Sequence, residues 1–174
     1  MTMRGLAEMA LVTRPAMKWL IAPMLAGSIV LGAGVAARAA DDDSGRYWVS
    51  LRKDQTNMRV GPGRDYRINW VYVRQGLPMK VLREMAGWRL VQDPDGARGW
   101  VLQQFLTRKV HTGVVKGPVA EIRENKDGSG RLLWRAAPGV VGRIGDCGGG
   151  WCKVDIDGRQ GFVAQTAMWG AGEP

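Results

Sequence analysis

Few side chains in this chain could carry covalent or metal chemistry. Cys147 and Cys152 enclose Gly148-Gly149-Gly150-Trp151, the single histidine is His111, and two acidic pairs recur as Asp93/Asp95 and Asp155/Asp157. A cysteine nucleophile requires a free thiolate, a histidine base and a group to orient that base. The two cysteines flank a predicted hairpin turn, and a disulfide is the leading reading for them in an oxidising compartment. Their spacing is wrong for a redox pair, and one histidine cannot complete a metal site with them. The acidic pairs stand in Asp-x-Asp-Gly, where aspartate caps backbone amides and glycine supplies a positive φ, and neither stretch has the full calcium loop. The residues therefore predict no catalytic site, metal or cofactor.

Binding chemistry is better represented. Trp70 and Tyr72 alternate with Val71 and Val73, so one pair faces inward and the other outward. Valines inside would display an aromatic pair beside Arg64, Arg67 and Arg74, able to stack on sugar rings or peptide planes. The competing reading has the aromatic pair filling the core or a contact between domains.

The elements that must carry these groups are legible from an internal repeat. Trp88-Arg89-Leu90-Val91 and Trp151-Cys152-Lys153-Val154 share W-x-x-V, and each precedes Asp-Gly-x-x-Gly-aromatic-Val, at Asp95 to Val101 and Asp157 to Val163. Gly76 and Gly139 each lie twelve residues before their tryptophan, and Met58-Arg59 and Ile122-Arg123 stand at matching distances upstream. The chain thus holds two copies of a unit of about 55 residues. Within a unit, Met79 and Val81 share one face of a strand opposite Lys80, Leu82 and Glu84, and Asp95-Gly96 and Asp157-Gly158 are short hairpin signals. With 25 glycines, eight tryptophans and no long helical periodicity after residue 45, the expected class is all-β, each unit a barrel of about five short strands. The expected boundaries are 47–110 and 118–170, with a linker at 111–117 and a tail at 171–174. A linker so short predicts barrels that touch.

Residues 1–39 read as a signal peptide followed by an acidic linker, 40–46. Arg4, Arg14 and Lys18 precede an uncharged run from Trp19 to Ala37, then Ala37-Arg38-Ala39 offers a cleavage site before Asp41-Asp42-Asp43. Met17 is an alternative start, and an uncleaved anchor is the rival reading of the apolar run. Residues 40–174 carry 21 Lys/Arg and 15 Asp/Glu, net +6. For an exported, periplasmic chain this basic surface points to anionic envelope partners and away from nucleic acid.

Asn57-Met58-Arg59-Val60-Gly61-Pro62-Gly63, Gly76-Leu77-Pro78, Trp88-Arg89-Leu90-Val91 and Gly99-Trp100-Val101 resemble, in order, the landmarks of bacterial SH3 domains found in exported proteins of alphaproteobacteria. The resemblance covers most of 47–108 and is weaker over 118–169, where Glu124-Asn125-Lys126-Asp127 replaces the Gly-Pro segment. It implies two tandem SH3-like β-barrels. It further implies that Trp88 and Trp151 line ligand grooves, that Val91 and Val154 point into the cores, and that Phe105 is a groove aromatic where the second copy has Ala167.

The expected function is non-enzymatic recognition of peptidoglycan or a wall-associated partner by the first groove, around Tyr66, Trp88 and Phe105. The rival is an interaction module binding another envelope protein through a proline-containing segment. Arg64-Asp65-Tyr66-Arg67 lacks the acidic cluster that basic-flanked proline ligands use.

Overall fold

The repeated glycines are where the backbone demands them. A computed structural model describes residues 45–174, and the stretches expected to be a signal peptide and most of an acidic linker lie outside the described residues. Gly76 and Gly139 adopt φ of 76° and 83°, and each donates its N–H to the strand that opens its own barrel, at Leu51 O and Val115 O, both 2.8 Å. Gly99 and Gly161 serve a different need. A Cβ on Gly99 would lie 2.8 Å from the Arg59 carbonyl oxygen, and one on Gly161 would lie 3.1 Å from that of Arg123. Only a residue without a side chain lets these strands approach so closely.

The first barrel contains β1 (Tyr47–Leu51), β2 (Thr56–Arg59), β3 (Ile68–Tyr72), β4 (Pro78–Met85), β5 (Trp88–Gln92), β6 (Arg98–Leu102) and β7 (Leu106–Thr107), antiparallel in the order β3-β2-β6-β5-β4-β1-β7. The second contains β8 (Thr112–Val115), β9 (Ala120–Arg123), β10 (Leu132–Ala136), β11 (Val141–Gly148), β12 (Trp151–Ile156), β13 (Arg159–Ala164) and β14 (Met168–Trp169), in the equivalent order β10-β9-β13-β12-β11-β8-β14. A 3-10 turn precedes the last strand of each, at Gln103–Phe105 and Gln165–Ala167. The cores match in the same way: Met58, Met79, Val81, Val91 and Val101 in the first, and Ile122, Val154 and Val163 in the second, are fully buried.

Two expectations need correction. Residues 112–115 are not linker but β8, wholly buried and equivalent to β1. Gly113 packs on Ile144 and Met168, and a four-residue strand containing a glycine has no readable periodicity. Asp95-Gly96 is not a two-residue turn either. Pro94 widens that connection into a loop over 93–97, closed by Asp93 N–H to Ala97 O at 3.0 Å, whereas Asp157-Gly158 forms the tight turn between Ile156 and Arg159.

The two barrels belong to one compact unit. Trp48 and Trp169 meet edge to face at 4.7 Å, and the Trp48 indole N–H donates to Gly172 O at 2.9 Å, which ties down the expected tail. Beneath them the buried hydroxyls of Ser50 and Thr112 lie 2.7 Å apart, and Thr112 donates to Gly76 O at 2.6 Å. Unpartnered hydroxyls here would cost free energy, so the junction holds one relative arrangement of the strands.

Candidate functional site

Strand alternation builds the first groove. In β2, Thr56 and Met58 are buried, which turns Asn57 and Arg59 to the opposite face. There they meet Trp88 from the start of β5, Leu102 from the end of β6 and Phe105 from the 3-10 turn, and with Arg64 they enclose an open cleft of about 210 Å³. Trp88 is only 8% exposed, so it offers an edge to the cleft while most of its ring is held in protein. The Arg59 guanidinium donates to Tyr66 O at 2.6 Å, which fixes its position. Two guanidinium groups, an amide and aromatic surface line this cleft, with no carboxylate among them. Such a lining suits a ligand presenting carboxylate and carbonyl oxygens beside an apolar face.

The other predicted site residues of this barrel lie elsewhere. Tyr66 packs its ring over Gly61 and Gly63, supporting the loop that carries Arg64, and does not line the cleft. Tyr72 is 6% exposed, which corrects its assignment to a binding surface. Its hydroxyl donates to Asp93 Oδ2 at 2.8 Å, while Asp93 Oδ1 accepts the N–H groups of Asp95 at 3.0 Å and Ala97 at 2.8 Å. Burial, and then the bond to Asp93, hold the Tyr72 phenol far above its ordinary range. Trp70, 55% exposed, sits 6.4 Å from Tyr72 beside a separate cleft of about 460 Å³ at the barrel junction, bordered also by Asp95, Lys116 and Pro138. Trp70 and Tyr72 thus lie on the same face of β3, but only Tyr72 reaches the core, leaving Trp70 at the rim.

In the second barrel a loop leans on the equivalent tryptophan. Gly128, φ 78°, lies directly against the Trp151 indole, where even a methyl group would overlap the ring. Asp127 secures that loop by accepting the backbone N–H and the hydroxyl of Ser129 at 2.9 and 2.6 Å, and these bonds lower its pKa. Ala167 replaces Phe105, and Cys147 and Cys152 form a disulfide across the β11–β12 hairpin. Trp151 has this loop against its ring yet stays half-buried, more exposed than Trp88. From the sequence, Asn57 reads as a turn former and Arg59 as a surface charge, and Arg64 is expected beside the Trp70/Tyr72 pair; the cleft instead gathers all three around Trp88.

The sequence profile described as bacterial SH3 domain matches twice, over residues 52–107 and 116–170. The chain is 25% identical over 134 residues to the putative N-acetylmuramoyl-L-alanine amidase YrvJ of Bacillus subtilis strain 168, a match that takes in 70% of this chain and 25% of that protein. The chain therefore spans about a quarter of the length of that curated relative. Among solved structures, NlpC1 of Trichomonas vaginalis aligns at 13% identity and TM-score 0.34 over 71% of this chain and 45% of its own. NlpC2 of the same organism aligns at 12% identity and TM-score 0.34, over 71% and 48%. With two profile matches falling on two barrels of identical strand order, this chain belongs to the bacterial SH3 domain family.

Proposed function

We propose that this chain is a non-catalytic module of the bacterial cell envelope that binds peptidoglycan through the groove of its first barrel. The observation that carries this reading is the cleft itself, in which Trp88 and Phe105 stand beside Asn57, Arg59 and Arg64. Peptidoglycan supplies what such a lining recognises, because its stem peptides carry carboxylates and amides and its sugars present apolar ring faces. The name of the Bacillus relative, an amidase of muramoyl-alanine bonds, supports a wall-directed role for the matching region. Exported placement accords with the disulfide, and no helix among the described residues is long and apolar enough to cross a membrane. The binding role without catalysis is favoured by the state of the nucleophile candidates. Both cysteines are joined to each other, and the His111 ring is engaged with Gly170 O at 2.6 Å.

The test is co-sedimentation of residues 40–174 with purified sacculi at low and moderate salt, comparing wild type with Arg64→Ala, Trp88→Ala and Trp151→Ala. Retention that persists in salt, falls about tenfold or more in Trp88→Ala and Arg64→Ala, and is unchanged in Trp151→Ala is the expected result. Equal retention of all variants, or retention lost in salt for every one, reduces the interaction to a basic surface. Release of soluble wall fragments by the purified protein would overturn the non-catalytic reading.

A further inference from the structure

We infer that the open edge of β3 is a docking site for an extended acidic segment of a partner protein, which adds as a strand beside it. Of the nine large hydrophobic residues that stand exposed among the described residues, six lie between positions 60 and 73: Val60, Tyr66, Ile68, Trp70, Val71 and Val73. They gather on one strand and the residues leading into and out of it. β3 pairs with β2 on one side and ends the sheet on the other, so its outer N–H and C=O groups have no neighbouring strand. Both of its faces are apolar: Trp70 pairs with Met58 on one, and Ile68 and Val71 pair with Arg59 and Asn57 on the other. Natural edge strands are ordinarily blunted with lysine, proline, inward charge or a bulge, and β3 carries only the last, at the register shift opposite Met58 and Arg59.

The equivalent strand of the second barrel also ends its sheet, but its side chains are sheltered. In β10, Leu132, Leu133 and Trp134 are half-buried, Arg159 stacks over Trp134 at 4.6 Å, and Arg135 pairs with Glu121 at 3.1 Å. The exposed apolar character of the edge is therefore a property of one barrel and not of the fold.

Charge selects the occupant. Residues 59–74 carry four arginines and one aspartate, and Arg67 and Arg74, which flank β3, are both exposed, Arg74 also donating to Gly139 O at 2.7 Å. A second copy pairing antiparallel about Trp70 would bring Arg67 of one chain beside Arg74 of the other, setting like charges together at both ends. An acidic strand with alternate apolar residues meets the arginines at its ends and the exposed side chains along its length. The site is separate from the Trp88 groove, whose lining includes no residue of β3.

The probe is a labelled ten-residue peptide alternating glutamate with valine and threonine, compared with a lysine-for-glutamate peptide, by fluorescence anisotropy and amide hydrogen exchange. The expected result is that the glutamate peptide binds about tenfold or more tightly than the lysine peptide and protects the amides of residues 68–72. Arg67→Glu, which leaves the core untouched, should narrow or reverse that preference; Val71→Pro should abolish binding by blocking the added ladder; Trp88→Ala should change nothing. Equal affinity for both peptides, or binding without protection of β3, overturns the proposal. So does sacculus retention lost in Trp70→Ala but kept in Trp88→Ala, because the edge would then be a polymer surface.

Discussion

The two barrels share strand order, turn glycines and core positions, yet one presents a furnished groove and an exposed apolar edge while the other has fewer groove side chains and a more sheltered edge. The difference comes from a handful of side chains around a common frame. Arg64 and Phe105 furnish the first groove, where the second has a loop laid on Trp151 and an alanine at position 167. Tyr72 fills the first core where the second has the buried Ala136, and a disulfide staples one hairpin where the other relies on Ala86-Gly87. Duplication of a small fold thus leaves one copy free to act as packing partner for the other, and the buried Ser50–Thr112 contact holds them together.

The largest expected effect tests what the copies have in common. Gly99→Ala and Gly161→Ala each push a methyl group against a neighbouring strand's carbonyl, and each should cost about 2–3 kcal/mol in urea unfolding. A cost in only one barrel would show that their frames are not equivalent. Next, reducing the Cys147–Cys152 bond, or replacing both cysteines by alanine, should lower stability by about 2 kcal/mol through the freed loop of the unfolded chain. Hydrogen exchange should place that loss in the second barrel.

Gly128→Ala sharpens the comparison directly. It strains a positive φ and displaces the Trp151 ring, so it should cost about 1–2 kcal/mol and shift tryptophan emission to the red. If sacculus retention rises in this variant, the second groove was limited by its loop alone. Tyr72→Phe should cost about 1 kcal/mol at neutral pH, because Asp93 keeps its two backbone donors. Tyr72 also sets a pH dependence. Its folded pKa lies above the ordinary 10.0, so its contribution is complete below that value and is lost as pH rises beyond it, when the unfolded chain ionises first. Alkaline unfolding monitored by circular dichroism should therefore be shallower in Tyr72→Phe than in wild type.

Much of the fold could be read without coordinates because its landmarks answer local requirements. Gly76 and Gly139 mark positive φ, Gly99 and Gly161 mark close approach, Asp157-Gly158 marks a tight turn, and the alternation of β4 puts Met79 and Val81 inside. The sites were less legible. Trp88 and Phe105 do share a cleft, but Tyr66 supports a loop, Tyr72 is core, Trp70 borders the junction and Trp151 carries a loop against its ring.

By itself, the sequence determined the class, the duplication, the frame of strands and turns, and the cysteine pair, since each depends on backbone stereochemistry or on residues near one another in the chain. Only the tertiary structure decided which aromatic faces stay accessible. Whether an indole is open depends on a loop glycine such as Gly128, and whether 112–115 is linker or strand depends on neighbours from β11 and β14. Accessibility is set by what distant segments bring against a side chain, and alternation within a single strand carries no record of it.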